Sequence, residues 1–227
     1  MNVPPFVPQP TEIPGNVTVE SYHVRLAFIR RVAVLHFLSI CAIAFLSWTF
    51  SGFPSLSTCA LILGGLLAGS SLFRSFAHGA RWEPFASAAT LPFIMASLAG
   101  VIAGLSDLGW PTWAPGLGIA ASVAYTLVCG RDLSFVGMYC LAVLVSSIAM
   151  ALLAVGEVIT WRDVPAAFST NLFVTFYYVY DLGSLLSRRR LGEEVGAVVD
   201  LYRDVLNIFG YSIRSVRHWR EHRIWSR

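Results

Sequence analysis

Lysine is absent from this 227-residue chain, and charge of either sign is scarce: the 16 basic residues, all arginine, face 13 acidic ones, and only 13% of positions are charged. An average soluble domain is about 25% charged. Apolar residues reach 56% and mean hydropathy is +0.66, more than one globular core of this length buries. An ordinary cytosolic enzyme is thereby excluded, and so is a disordered chain, because this much apolar surface collapses. No Gly-x-Ser-x-Gly or His-Glu-x-x-His occurs, so no hydrolase constellation of those kinds is present. The apolar runs do not alternate in strand-length segments, against a β-barrel. Internal repeats are not evident, which argues against an inverted-repeat transporter. The N-terminal stretch with Pro4, Pro5, Pro8, Pro10 and Pro14 is neither basic nor apolar enough for a signal peptide.

What is present is a series of long apolar runs. A helix crossing a hydrocarbon core of about 30 Å needs roughly 17–25 mainly apolar residues. Seven segments come near that, at 32–50, 57–73, 84–105, 113–129, 133–155, 164–187 and 195–216. The fold class expected is an all-α membrane protein, a seven-transmembrane-helix bundle over 25–217. It is flanked by a mobile cytoplasmic tail (1–24) and a basic C-terminal tail (218–227).

Arginine position supplies the orientation. Arg25, Arg30, Arg31, Arg74, Arg81, Arg131, Arg188, Arg189 and Arg190 fall on one side, against Arg162 on the other, which puts the N-terminus in the cytoplasm. Arg214, Arg217, Arg220, Arg223 and Arg227 break the pattern. Either the seventh segment is re-entrant, or a translocated basic tail is tolerated. A cytoplasmic N-terminus also discards the sequon at Asn16-Val17-Thr18. Cys41, Cys59, Cys129 and Cys140 lie in or beside the spans without metal-ligand spacing and read as small packing residues. Gly65–Gly69 and Gly100–Gly104 are small-xxx-small pairs suited to close helix approach.

The informative residues are those expensive to bury. An ionised side chain at mid-membrane costs about 2.5–3.5 kcal/mol on insertion scales. Asp181 sits near the end of the sixth segment, and Asp200, Arg203, Asp204 and Asn207 interrupt the seventh. With Leu191 as the turn, Asp181 is ten residues before it and Asp204 thirteen after; at about 1.5 Å per residue their depths differ by roughly 5 Å. Two such carboxylates would hold one proton between them, a latch that ties the helices when protonated and parts them when both ionise. Arg74 or Arg203 would neutralise a freed carboxylate, and a freed anionic pair would attract Ca²⁺. Alone, Asp181 reads equally as a snorkelling or capping residue. Asp200, Asp204 and Asn207 form a polar stripe that belongs inside the bundle, which makes the last helix the central one. Asp132 reads as the cap of the fifth helix. His36 reads as a hydrogen bond to a neighbouring helix, His78, His218 and His222 show no partner pattern, and Phe173, Phe176, Tyr177, Tyr178 and Tyr180 read as packing.

Tyr180-Asp181, followed by Leu201-Tyr202-Arg203-Asp204-Val205-Leu206-Asn207-Ile208-Phe209, resembles the C-terminal signature of the Bax-inhibitor (transmembrane Bax inhibitor motif) family. Gly130-Arg131-Asp132-Leu133-Ser134-Phe135 is similar to that family's entry into its fifth helix, and Ala27-Phe28-Ile29-Arg30-Arg31-Val32 to its entry into the first. The resemblance, to a bacterial member in an inner cell membrane, implies a monomeric seven-helix bundle. It implies a pH-dependent Ca²⁺ leak gated by an aspartate pair, with Asp181 and Asp204 as gate and Ca²⁺ ligands, protons as regulator, and no cofactor or nucleic acid. Arg74 matches the family's arginine that pairs with the last-helix aspartate. Asp200 departs from the pattern, and residues 84–128 match no motif. Two other functions stand beside this one: a non-conducting regulator of a membrane protease or transporter, and an intramembrane aspartyl protease. The latter conflicts with the bulky Leu201-Tyr202-Arg203 before Asp204, where such enzymes use Gly-x-Gly-Asp.

Overall fold

The computed structural model describes residues 13–77, 80–129 and 133–206. Among them every regular element is helical and no strand occurs. The α-helices are α1 (Tyr22–Thr49), α2 (Leu56–Ala77), α3 (Glu83–Asp107), α4 (Ala114–Val128), α5 (Phe135–Val155), α6 (Val164–Arg188) and α7 (Glu194–Arg203). Four of these, α1, α2, α3 and α5, are long and apolar enough to cross a membrane. Helix α4 has only 15 residues. Helix α6 has 25 but carries Ser169, Thr170, Asn171, Thr175 and Asp181.

Local chemistry sets the boundaries. Proline in the first turn opens α3, α4 and α6, where its missing N–H costs nothing. Helix α5 is capped by Ser134, whose Oγ accepts from the Gly137 amide at 3.1 Å. The expected cap, Asp132, lies outside the described residues with Arg131, as do His78, Asn207, His218, His222 and the arginines of the C-terminal tail. The seventh segment is expected to run to 216; α7 passes into a 3-10 turn at Asp204–Leu206, and the remainder of that segment, from 207, lies outside the described residues.

The helices turn apolar side chains outward as well as inward. Phe45, Leu61, Phe93, Leu144, Ile148, Leu152 and Phe173 are exposed, a surface that suits hydrocarbon rather than water. Inside, Phe28, Ile29, Val32, Leu182, Leu185 and Val198 form the core. Residues 196–204 are all buried, so α7 is enclosed, packed against α1, α2, α3 and α6. Of the two glycine pairs, only the second packs as expected: a methyl at Gly100 would meet Cys59 and Phe53, and at Gly104 would meet Leu56. Gly65 and Gly69 face open space.

Residues 13–21 correct the expectation of a mobile tail to residue 24. Val17 is fully buried and Ile13 nearly so. The Ile13 amide donates to the Ser187 carbonyl at 3.3 Å and the Val17 amide to the Arg189 carbonyl at 3.0 Å. The last carbonyls of a helix have no partner within it, and this segment supplies them at the end of α6. Asn16 is buried and its side chain caps the Val17–Val19 turn, accepting from the Thr18 amide at 3.0 Å. At the same end Arg30 closes α4, donating to the carbonyls of Thr126 (2.7 Å) and Cys129 (2.8 Å), a cation where the helix dipole is negative.

Candidate functional site

Asp181, Ser184 and Arg188 fall at i, i+3 and i+7 on one face of α6, and Asp200 and Arg203 at i and i+3 on α7, with Asp204 at its C-cap. Helical periodicity therefore gathers each set into a cluster, and the chain reversal after α6 sets the two clusters against each other. All but the partly buried Ser184 are buried.

Arg188 joins them. Its Nη1 pairs with Asp204 Oδ2, and its Nη2 with Asp181 Oδ1 and Ser184 Oγ. Ser184 Oγ also lies 3.0 Å from Asp181 Oδ1. The sequence reading places one proton between the two aspartates; in the structure a guanidinium lies there. By sequence position alone Arg188 belongs to membrane orientation, and Arg74 or Arg203 is the expected partner. Arg74 pairs instead with Asp200, Nη1 to Oδ2 at 2.6 Å. Arg203 pairs with Asp200 and approaches Asp204 at 3.5 Å.

Asp200 is the hub. Besides Arg74 and Arg203 it receives Arg189, whose Nε and Nη2 donate to its two oxygens at 2.6 and 2.7 Å. This is the forked geometry that favours arginine over lysine. Arg189 also donates to Glu83 Oε2 at 2.7 Å, tying in the first turn of α3. Burial alone would lower the Arg189 pKa, but Asp200 and Glu83 hold it above the ordinary arginine range. Glu83, Asp181, Asp200 and Asp204 thus face Arg74, Arg188, Arg189 and Arg203, and their formal charges cancel. Two atoms stay outside this balance: Asp181 Oδ2 and Arg203 Nη1 are buried without a hydrogen-bond partner. An unmet buried polar group costs about 1–3 kcal/mol, more when charged.

Sequence reasoning missed Arg188, Arg189 and Glu83 as members of the site. The available signal was the seven-residue spacing of Asp181 and Arg188, two helical turns on one face. Asn207 lies outside the described residues. Among those described, no group of three or more His, Cys, Asp or Glu side chains is placed to hold a metal.

A cavity of about 750 Å³ lies beyond the network. It extends along α1 from His36 to Ser47, toward Trp110 and Trp113. His36, Tyr178 and Tyr202 form its end nearest the charges, Tyr178 standing one turn before Asp181. His36 meets its neighbours through its ring rather than the hydrogen bond expected of it. It stacks on Tyr178 at 5.2 Å, lies tilted against Tyr202 at 4.9 Å, and leaves Nδ1 without a partner. Tyr202 Oη hydrogen-bonds Ser39 Oγ at 2.6 Å.

Comparison of the chain with known protein families, curated proteins and solved structures finds no match.

Proposed function

We propose that the chain is a proton-sensitive, Ca²⁺-permeable leak path through a membrane, closed in this conformation by Arg188. The observation that carries the reading is that one buried guanidinium holds Asp204 of α7 and Asp181 of α6 together. Membership of the Bax-inhibitor family belongs to the proposal and rests on the motifs around Asp181 and Asp204. Seven crossings, a bacterial cell membrane and a cytoplasmic arginine-rich end belong to it too.

The only one of these links that joins the two helices is Arg188–Asp204; Asp181 and Ser184 orient Arg188 from within its own helix. Protonating Asp204 removes that link and leaves Arg188 to Asp181, so α6 and the end of α7 are held only through the Arg189–Asp200 pair just beyond the last turn of α6. The sign is therefore opposite to that of a shared-proton latch: acid loosens the closure, and ionised carboxylates tighten it. A divalent cation competes with Arg188 for the same oxygens, and Ca²⁺ is the common cation that favours carboxylate ligands in irregular geometry. The cavity leads from the opposite end of the bundle to within a helical turn of this link.

The test is flux through the purified full chain in liposomes loaded with a Ca²⁺-sensitive dye. Influx is expected to rise as the pH is lowered. Flux that is independent of pH and equal to that of empty liposomes overturns the proposal.

A further inference from the structure

We infer that the segment from Ile13 to Ser21 is an inhibitory strap, which holds the end of α6 so that Arg188 stays on Asp204. What the strap inhibits rests on the leak reading; its contacts stand apart from that reading.

The strap acts first on backbone. Three successive carbonyls at the end of α6 each accept from elsewhere in the chain. Ser187 accepts from the Ile13 amide at 3.3 Å, Arg188 from Arg74 Nη2 at 3.4 Å, and Arg189 from the Val17 amide at 3.0 Å. In a lone helix the last carbonyls have no partner and the end frays. Here the two donors of the strap bracket Arg188, one on each side. The backbone that carries Arg188 is thereby held from outside the helix, and its guanidinium reaches Asp204 from a fixed point. Arg190 completes the hold, its Nε donating to the Pro14 carbonyl at 3.1 Å.

The strap also has two faces. Ile13, Asn16 and Val17 are buried, whereas Pro14, Gly15, Thr18, Val19 and Glu20 are exposed. Between the two amide donors Gly15 takes a φ of +70°, a left-handed conformation that favours glycine. On the inner face, Ile13 forms one wall of a space of about 10 Å³ whose other walls include Arg74, Glu83, Arg188 and Arg189. That is about the least volume that holds one water. The strap therefore leaves almost no room for solvent beside the buried charges, and lifting it opens them on this side. Water beside an ion pair raises the local dielectric and weakens it. A slackened helix end and admitted water loosen the same link.

The experiment uses the full chain with Val17→Asp or Gly15→Val. Val17→Asp places a charge at a fully buried position. Gly15→Val strains the turn of the strap alone, because its side chain would face open space and a β-branched residue tolerates positive φ poorly. Gly118→Ala, in the far half of the bundle, is the comparison that destabilises without touching the strap. One readout is Ca²⁺ flux into liposomes at neutral pH. The other is phenylglyoxal labelling of arginines, mapped by peptide mass spectrometry, with Arg31, 53% exposed, as internal reference. Both strap variants are expected to raise neutral-pH flux at least about 5-fold, the scale of one hydrogen bond. They are also expected to label Arg188 and Arg189, which stay protected in the unmodified chain, while Gly118→Ala does neither. Arginines that stay protected in both strap variants overturn the proposal, as does a Gly118→Ala that matches them in both readouts. If the unmodified chain conducts in acid and both strap variants stay closed at neutral pH, the strap fails alone. If no chain conducts at any pH, Asp204→Asn included, the leak reading fails and the inhibition with it.

Discussion

Arg188 holds Asp204 of the neighbouring helix with one guanidinium nitrogen and Asp181 of its own helix with the other. The two contacts are not equivalent. One crosses between α6 and α7; the other fixes the direction in which the arginine points.

That asymmetry separates the two aspartates by mutation. Asp204→Asn mimics the protonated carboxyl and removes the interhelical pair, so Ca²⁺ flux is expected to be high at neutral pH and insensitive to acid. Arg188→Gln is expected to behave in the same way. Asp181→Asn leaves the Arg188–Asp204 pair in place and is expected to retain the acid response, with a shifted midpoint because Arg188 loses its orienting partner. Liposome flux against pH reads all three, and identical profiles for Asp181→Asn and Asp204→Asn would contradict the assignment.

Asp200 makes a different expectation, one of stability. Its carboxylate is the common partner of Arg74, Arg189 and Arg203, and it is fully buried. Asp200→Asn takes this carboxylate from the buried Arg189 and Arg203 and the partly buried Arg74, and removing one partner of a buried pair typically costs about 3–5 kcal/mol. Thermal unfolding in detergent should register it as a large fall in Tm. Glu194→Gln supplies the contrast, because its partner Arg31 is 53% exposed, and exposed pairs contribute about 0–1 kcal/mol.

The sequence displayed the aspartates for a physical reason: in a chain so poor in charge, each acid within an apolar run stands out by its cost of burial. The enclosed position of α7 was legible in the same way, from the stripe of Asp200, Asp204 and Asn207, the last of which lies outside the described residues. Arg188 and Arg189 were not, because arginine at a helix end is also the signature of membrane orientation, and one-dimensional position does not distinguish the two uses. Glu83 was hidden at a span boundary, where an acid ordinarily complements the helix dipole. The partner of Arg74 depended on a side-chain direction, which spacing along α7 narrows to one face but not to one turn. The order at residues 13–21 was masked by proline-rich composition, and it arises from tertiary demand, the orphan carbonyls at the end of α6.

The N-terminal segment can be tested through that demand. The Val17 amide donates to the Arg189 carbonyl at 3.0 Å, and Arg190 Nε donates to the Pro14 carbonyl at 3.1 Å. Val17→Asp places a charge at a site with no exposure and is expected to release the segment. Limited proteolysis should then cut between residues 13 and 21, and stability should fall by an amount of the order of 1–3 kcal/mol. Val19→Asp, at a position that is 74% exposed, is expected to leave both readouts unchanged.

The far half of the bundle is held by a different chemistry, and the last expectation concerns it. Asn171 of α6 accepts from the Gly118 amide of α4 at 3.1 Å and donates to Ser146 of α5 at 2.7 Å, with every partner buried. Three helices therefore meet at one amide side chain, and the approach is close enough that a methyl at Gly118 would collide with Thr175 and Asn171. Both colliding groups are polar and already engaged, since Thr175 Oγ1 lies 3.3 Å from Asn171 Oδ1, so neither yields without losing a hydrogen bond. Gly118→Ala is expected to cost about 1–3 kcal/mol through overpacking. Asn171→Leu keeps the branching at Cγ but deletes interhelical bonds, each worth about 0.6 kcal/mol on average and up to about 2 in membrane helices. If the ranking reverses in thermal unfolding, with Gly118→Ala neutral and Asn171→Leu severe, the seam depends on its hydrogen bonds rather than on the closeness of α4 and α6.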